Sequence, residues 1–404
     1  MDTELRKMAE EGIRRVRERL ACSGDDVCEE EFRSLIEDII FSDELDISLD
    51  EAEQLAHIIY TRARGRLGLL EDLTEDDSIN EIMVNGKDHI YYENDDGIGQ
   101  VDDCFETVEE LEELIRNIAS GVHREINELS PILDARLPDG SRVNAVHKNV
   151  AAGGPVLTIR KFRSEVINLR QMVRNGTLTE PCMVYLSKLV VSGYNIFISG
   201  GTSSGKTTFL NALTEFIPHG DRVIIIEDSR ELQPLKIDNL VQMECHNANS
   251  MGKGQITMEM LIRTSLRMRP DRIIVGEVRG PEVAEMLQAL NTGHDGSFST
   301  GHGNSVRGML RRLEAMYLMS VNIPIDAIRA QIVEGIDIMV HLGKLENGRR
   351  VVMEIQELLD YRDGEYNLNP LFRLDDEMHL VHTGNQLVNR NKLRLRRQDV
   401  GYII

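Results

Sequence analysis

Residues 195–216 read NIFISGGTSSGKTTFLNALTEF and indicate the fold of the second half of the chain. An apolar run at residues 196–198 predicts a buried strand, and Phe209, Leu210 and Leu213 recur at helical spacing. Between them, residues 200–207 fit the pattern G-x-x-x-x-G-K-S/T. The motif therefore lies between a strand and a helix, which is the context that a phosphate-binding loop needs.

The residue types in this loop suit a bound nucleotide. Glycines let successive backbone N–H groups curl around an anion, and the new helix points its positive end at the same phosphates. Lys206 can reach the outer phosphates, and the Thr207 hydroxyl can ligate Mg²⁺, so Thr207 is the predicted metal ligand. The residues predicted to bind the nucleotide are Gly200, Gly201, Thr202, Ser203, Ser204, Gly205, Lys206, Thr207 and Thr208.

The composition narrows the class of protein. With 404 residues the chain should form two or three domains. The formal net charge of −22 argues against a general nucleic-acid binder, so no nucleic acid is expected as a partner. The five cysteines are an odd number without a C-x-x-C pair, which indicates a reducing compartment. No apolar run approaches the length of a transmembrane segment, so work at a membrane would require docking through a partner.

Hydrophobic patterning divides the chain into several parts. Amphipathic stripes that begin near Leu5, Phe32 and Leu49 predict helices. Short strand-like runs around one helical pattern follow them and predict a small α+β domain. The predicted parts are a helical bundle at 1–70, an α+β domain at 71–163, a linker at 164–178, a nucleotide-binding domain at 179–345 and a C-terminal extension at 346–404.

The nucleotide-binding domain shows apolar runs that alternate with helical patterns, which predicts an α/β fold with a mostly parallel sheet. In such sheets, ligands lie outside the carboxyl ends of the strands. Charged residues of this chain fall at those ends. The predicted strands are 196–199, 223–227, 241–244, 272–276 and 296–300.

Three strand ends carry candidate catalytic residues. The run before Glu227 delivers a carboxylate to the place where Mg²⁺ and the attacking water would lie. The run before Glu277 delivers a second carboxylate, which could orient or deprotonate that water. A glycine-rich strand ends in His302, which could place an imidazole against the γ-phosphate.

The second of these strands departs from the usual pattern. Phosphate-loop ATPases ordinarily end it with Asp-Glu, whereas Gly276 stands here in the place of the aspartate. Metal binding would then depend on Thr207, the phosphates and the acids Glu227 and Asp228.

Two groups of cations stand out from the acidic background. Arg136 and Arg142 flank a turn in the α+β domain, and Arg160 and Lys161 end its last strand. The tail carries a second basic run. That run is either a solvated tail or a bridge to the acidic body, or else a contact with anionic lipid or a partner. Its residues are Arg390, Lys392, Arg394, Arg396 and Arg397.

These motifs together resemble the type II/IV secretion ATPases. The resemblance rests on the loop at 200–208, the acidic box at 226–232, the aspartate-less strand at 266–280 and the histidine box at 292–305, in this order and spacing. Two further stretches, LDARLPDGSRVNA at 133–145 and LTIRKF at 157–162, are similar to the CpaF (TadA-type) branch that powers Tad/Flp pili. The resemblance covers roughly residues 70–345.

Membership in this family implies a hexameric ring ATPase at the cytoplasmic side of the inner membrane. It implies ATP and Mg²⁺ as cofactors, and platform proteins of a pilus or secretion system as partners. A PAS-like N-terminal domain would precede the RecA-like domain, with nucleotide bound between the two. The resemblance makes Arg142 and Arg160 the expected phosphate contacts and places Glu227, Glu277 and His302 in the family's catalytic boxes.

Other readings remain open from the sequence. One rival is a DNA-translocating RecA-type motor or a type IV secretion traffic ATPase. A GTPase switch is less consistent, because the guanine-reading Asn-Lys-x-Asp is absent and residues 235–238 read LKID. A degenerate binding scaffold is disfavoured by the intact Lys206, Thr207 and Glu277.

Overall fold

The computed structural model divides into two compact units, Met1–Ser164 and Glu165–Ile404. No helix among the residues it describes is long and apolar enough to cross a membrane. The described residues are 8–9, 11–16, 18–19, 29–42, 47–64, 67–94, 97–162, 167–246 and 254–398.

The first unit begins with helices. Helix α1 spans Glu29–Ser42 and α2 spans Leu49–Arg64. Phe32 and Ile36 of α1 pack with Leu55 of α2 in one apolar cluster, as the amphipathic stripes predict. Residues 11–16 are also helical and add Val16 to this cluster. The ends of the first stripe, Leu5 and Leu20, lie outside the described residues.

A six-stranded antiparallel sheet forms the rest of the first unit. Its strand order is β3-β2-β1-β6-β5-β4, and α4 covers it with an apolar face that includes Leu111 and Ile115. The strand β3 is absent from the sequence prediction because glycines occupy half of its pattern Gly-Ile-Gly-Gln, which lowers strand propensity. The elements are α3 (Glu71–Glu75), β1 (Ile79–Asn85), β2 (Ile90–Asn94), β3 (Gly97–Gln100), α4 (Val108–Gly121), β4 (Ile132–Arg136), β5 (Arg142–Val146) and β6 (Val156–Arg160).

The second unit is built on a nine-stranded sheet of order β15-β14-β13-β12-β7-β11-β10-β8-β9. The strands from β12 to β9 in that order pair in parallel, which confirms the predicted α/β class. The elements are α5 (Leu169–Arg174), α6 (Glu180–Ser192), β7 (Ile196–Gly200), α7 (Lys206–Leu213), β8 (Arg222–Glu227), β9 (Asn239–Glu244), α8 (Met258–Ser265), β10 (Arg272–Val278), α9 (Val283–Leu290), β11 (Phe298–His302), α10 (Val306–Ser320), α11 (Ile325–Gly335), β12 (Ile338–Lys344), β13 (Arg350–Arg362), β14 (Glu365–Leu374), β15 (Leu380–His382) and α12 (Asn391–Leu395).

Both faces of the parallel strands are buried, which explains their continuous apolar runs. On β7, Ile196 and Ile198 point into the core that includes α6 and α7, whereas Phe197 points into the core that includes α9 and α10. The same alternation holds along β8, where Ile225 and Ile226 enter opposite cores. The sheet therefore holds the carboxyl ends of its central strands in fixed register.

Two segments differ from a simple linker and tail. Residues 164–178 contain α5, whose Asn168 cap makes a reciprocal capping box with Gln171 and whose Leu169 is fully buried. Residues after 345 extend the sheet itself, because β13 pairs antiparallel with β12. The basic run then packs back on the body, since Lys392 Nζ lies 2.7 Å from Asp337 Oδ2 and 2.7 Å from Asp295 Oδ1.

Candidate functional site

The phosphate-binding loop joins β7 to α7 as the sequence predicts. Gly205 takes a left-handed conformation with φ of 88°, and Ser203 also has a positive φ of 56°. At Gly200 a Cβ would lie 2.5 Å from Ser204 Oγ and 2.7 Å from the Leu342 carbonyl oxygen, so only glycine fits. The residue types of the motif therefore follow from the tight path of the loop.

The loop presents donors to a ligand. Within the part of the chain that the structure describes, the backbone N–H groups of residues 202, 203 and 205 have no hydrogen-bond acceptor. Lys206 is 7% exposed, and its ammonium donates to the Gly201 carbonyl at 2.8 Å. Burial lowers the pKa of Lys206. Such a loop, with free amides and a desolvated cation, can hold an anion.

Lys206, His302 and Glu277 form a contiguous polar chain beside the loop. Lys206 Nζ lies 3.3 Å from His302 Nδ1, and His302 Nε2 lies 2.7 Å from Glu277 Oε1. Burial lowers the pKa of His302 in spite of the nearby carboxylate. A neutral imidazole with its proton on Nε2 fits this arrangement, because Nδ1 must accept from the lysine.

Glu277 retains an open oxygen. Its Oε1 is buried, and His302 Nε2, 2.7 Å away, does not lie in the direction of a hydrogen bond to it, so no described residue donates to this oxygen. A buried carboxylate oxygen without such a bond is costly, so a bound water or ligand donor would stabilise it. The arrangement can therefore orient a water molecule next to the phosphate loop.

Arg279 is a site residue that the sequence analysis does not assign. Its Nη2 and Nε donate to Glu277 Oε2 at 2.7 and 3.0 Å, a two-pronged contact that fixes the carboxylate. The hydrogen bond to Glu277 raises the pKa of Arg279. Glu277 lies on β10 and Arg279 directly follows the end of that strand, with one residue between them, so the two-residue period of extended chain puts them on one face.

Glu227 lies at the same edge of the sheet, but its contacts are internal. It is 4% exposed, and its Oε1 accepts from the backbone N–H groups of Glu231 and Leu232 at 2.8 and 3.0 Å. These bonds hold the turn after β8. The exposed Asp228 lies 3.8 Å from Arg279 Nη1. Two hydrogen bonds to Glu227 therefore fix the turn that follows β8.

The predicted cations of the first unit form a row across three strands. Antiparallel register places Arg136 opposite Arg142, and Arg142 opposite Arg160. Directly paired residues point to one face of a sheet, and like charges in that position repel. Arg136 also contacts the Gly140 carbonyl and the Phe162 ring, which orients its side chain. A row of this kind suits an anionic ligand.

Of the remaining candidate residues, Thr207 lies at the phosphate loop and His294 lies apart from it. Thr207 is half-buried in the first turn of α7, next to Lys206. Elsewhere in the histidine box, His294 Nδ1 lies 3.1 Å from the Ala289 carbonyl, before β11 begins, and so it does not join His302. No group of three acidic, histidine or cysteine side chains among the described residues could hold a metal ion.

An open parallel sheet with a phosphate-binding loop after β7 and a glutamate on β10, two strands away, defines a RecA-like nucleotide-binding fold. Residues 64–341 match the family described as Type II/IV secretion system protein. The chain belongs to that family.

Individual relatives agree with this assignment. An uncharacterised protein of Methanocaldococcus jannaschii is 39% identical over 268 residues, and the match covers 64% of this chain but only 37% of that protein. A putative conjugal transfer protein of Mycobacterium tuberculosis is 30% identical over 318 residues, 77% of this chain and 90% of that protein. The crystal structure of the Yersinia pseudotuberculosis ATPase DotB has a TM-score of 0.53 at 18% identity, over 75% of this chain and 80% of that one. The last likeness shows the fold alone.

Proposed function

We propose that the chain is an ATP hydrolase, and the carrying observation is the open Glu277 Oε1 beside the Lys206–His302 pair. ATP phosphates would lie on the free amides of the loop, with Lys206 at the outer ones. Glu277 would orient the attacking water and accept its proton. Arg279 would hold the Glu277 carboxylate in place through its two hydrogen bonds to Oε2.

Mg²⁺ fits this site as a partner of the nucleotide. Thr207 would supply one hydroxyl ligand, and phosphate oxygens and water would supply the others. Bound Mg²⁺ would neutralise charge that develops on the phosphates. Glu227 would contribute by fixing the turn at residues 228–232, since its Oε1 already accepts two backbone N–H groups.

Arg142 and Arg160 would add phosphate contacts from the first unit, with Arg136 and Lys161 as secondary candidates. Repulsion within the row is relieved when an anion binds, so nucleotide would draw the row toward it. Hydrolysis would release it again. In this proposal residues 71–163 and 179–345 move as separate domains about the segment 164–178, flanked by the bundle at 1–70 and the extension at 346–404.

The work performed would be assembly of a Tad/Flp-type pilus by a homo-hexameric ring on the cytoplasmic face of the membrane. The stretches at 133–145 and 157–162 support this branch of the family. Contact with the membrane would run through platform proteins. A type IV secretion traffic ATPase is the second candidate, favoured by the similarity to a mycobacterial protein named for conjugal transfer over 90% of that protein's length.

The hexameric ring is tested by measuring ATP turnover at increasing protein concentration. Light scattering on the same samples gives the mass of the particle. We expect ATP hydrolysis to rise steeply as a particle of about six subunits forms, with Lys206→Ala as the inactive control. Full activity in a monomer would overturn the ring. Stimulation of turnover by added DNA would overturn the pilus assignment in favour of a DNA-linked motor.

A further inference from the structure

The strands on the two sides of the phosphate loop carry different kinds of side chain. On one side of β7 lie β11 and β10, which carry His302 and Glu277 at their carboxyl ends. These residues mark the side where the γ-phosphate would react. On the other side lie β12 and β13. A nucleotide whose γ-phosphate faced His302 and Glu277 and which extended across the loop would direct its nucleoside end toward these two strands.

The β12–β13 hairpin brings an arginine to the loop on that side. Arg350 Cδ lies 3.4 Å from the position that a Cβ would take at Gly205, the last glycine of the motif. Arg350 is exposed, and no carboxylate of the described residues lies within ion-pair distance of it. Its guanidinium is therefore available at the edge of the loop.

The partner of Arg350 across the hairpin is also a cation. Register pairs Lys344 of β12 with Arg350 of β13, so two positive side chains share one face. Directly opposed like charges destabilise a strand pair, and an anion between or beside them reverses that effect. Neither residue belongs to the part of the chain that matches the family, which ends at residue 341.

We propose that Arg350 is a nucleotide-binding residue that contacts the α-phosphate and ribose of a nucleoside di- or triphosphate held by the loop. This inference rests on the proposed function, because it requires a nucleotide at residues 200–208. In the strand order, Arg350 lies on the opposite side of β7 from the strands that carry His302 and Glu277, so the proposed contact is with the end of the nucleotide that does not react. It strengthens ATP and ADP binding alike and leaves the hydrolysis step unchanged.

The neighbouring arginine provides a matched control. Arg349 Nη1 lies 3.2 Å from the Cβ position of Gly176, and Arg349 lines a cavity of about 300 Å³ with residues such as Leu178 and His379. Arg349→Ala and Arg350→Ala remove the same charge from the same hairpin. Only Arg350→Ala removes the side chain at the loop.

The test compares dissociation constants of ATP, ADP and inorganic pyrophosphate for the full chain and both variants. We expect Arg350→Ala to weaken ATP and ADP by the same factor, about 10- to 100-fold for a charge-assisted contact, and to leave pyrophosphate within about twofold. The KM for ATP should rise with kcat unchanged. Arg349→Ala should behave as wild type.

Each other outcome overturns the proposal. If Arg350→Ala binds ATP and ADP as tightly as wild type does, Arg350 does not contact the nucleotide. If Arg349→Ala and Arg350→Ala lose affinity equally, the effect comes from net charge and not from a contact. A loss for ATP but not ADP moves Arg350 to the γ-phosphate. A loss of pyrophosphate binding by the same factor as ATP and ADP places Arg350 on the β-phosphate instead of the α-phosphate and ribose. If wild-type protein binds no nucleotide, the proposed function fails first, which the wild-type measurement shows separately.

Discussion

Gly276 and Glu227 share one space at the carboxyl edge of the sheet. A Cβ at residue 276 would lie 2.9 Å from Glu227 Cγ and 3.6 Å from Glu227 Oε1. The glycine stands where phosphate-loop ATPases usually carry an aspartate. The Glu227 side chain fills that volume from the neighbouring strand, and Thr300 Oγ1 bonds the Gly276 carbonyl at 2.7 Å.

Replacing this glycine should therefore be destabilising. We expect Gly276→Ala to lower the free energy of unfolding by about 1–3 kcal/mol through overpacking, measured by urea denaturation. In a Glu227→Ala background the same change should cost at least about 1 kcal/mol less, because the two side chains no longer meet. Equal costs in the two backgrounds would show that the contact is not the cause.

Glu277→Gln should bind ATP and fail to hydrolyse it. The amide keeps the shape of the side chain but cannot accept the proton of the attacking water, so kcat should fall by about 10²–10⁴-fold with little change in nucleotide affinity. Steady-state turnover and equilibrium binding measure the two effects. Glu334→Gln, an exposed acid on α11, is the control for loss of one charge. Wild-type turnover in Glu277→Gln would reject the catalytic role.

Turnover should decline in acid through His302. Its pKa in the folded chain lies below the ordinary value of 6.5, so the imidazole is neutral above that pH. On acidification the unfolded chain takes up this proton first, so the contribution of His302 to stability is present above about pH 6.5 and is lost as pH falls. Protonation also removes the acceptor for Lys206.

A pH–rate profile from about pH 5 to 8 checks this. We expect His302→Asn, which stays neutral and can still accept a hydrogen bond, to lose the acid limb that wild type shows. An unchanged acid limb in this variant would assign the titration to another group.

The arginine row should matter for nucleotide binding more than for folding. We expect Arg142→Gln and Arg160→Gln each to raise the KM for ATP by about 10-fold or more, because each would remove a proposed charge-assisted contact to phosphate. Thermal unfolding without nucleotide should change little, since the change also relieves like-charge repulsion. Arg116→Gln, an exposed arginine on α4, is the control. If Arg142→Gln and Arg160→Gln both kept the wild-type KM for ATP, neither arginine would contact the nucleotide.

Lys392 should anchor the C-terminal segment. Burial raises the pKa of Asp337, and Lys392 opposes that effect with its contact at 2.7 Å. Lys392→Met leaves the buried carboxylate without its cation, so we expect a loss of about 3 kcal/mol in the free energy of unfolding, measured in urea. Arg394→Met, an exposed neighbour on α12, should have little effect. Equal effects of the two variants would contradict the anchor.

Local patterns were sufficient to predict much of this structure. The central parallel strands, including those at Ile196–Gly200 and Arg272–Val278, appear as predicted because both faces are buried and each strand is a continuous apolar run. Strand β3 was not predicted, because two of its four residues are glycines and the segment shows no alternation of apolar and polar side chains. The mutual placement of Lys206, His302 and Glu277 was expected from the rule that ligands meet the carboxyl ends of parallel strands.

The phosphate loop and the alternation of strands and helices could be predicted from the sequence, because they depend on neighbours within a few residues. The order and spacing of four motifs along the chain indicated the secretion ATPase family. Only the folded chain shows which residues share space across the sheet. It brought Glu227 against Gly276, Arg350 against Gly205 and Lys392 against Asp337. These pairs are set by strand order and register, and the spacing of residues along one chain does not contain that information.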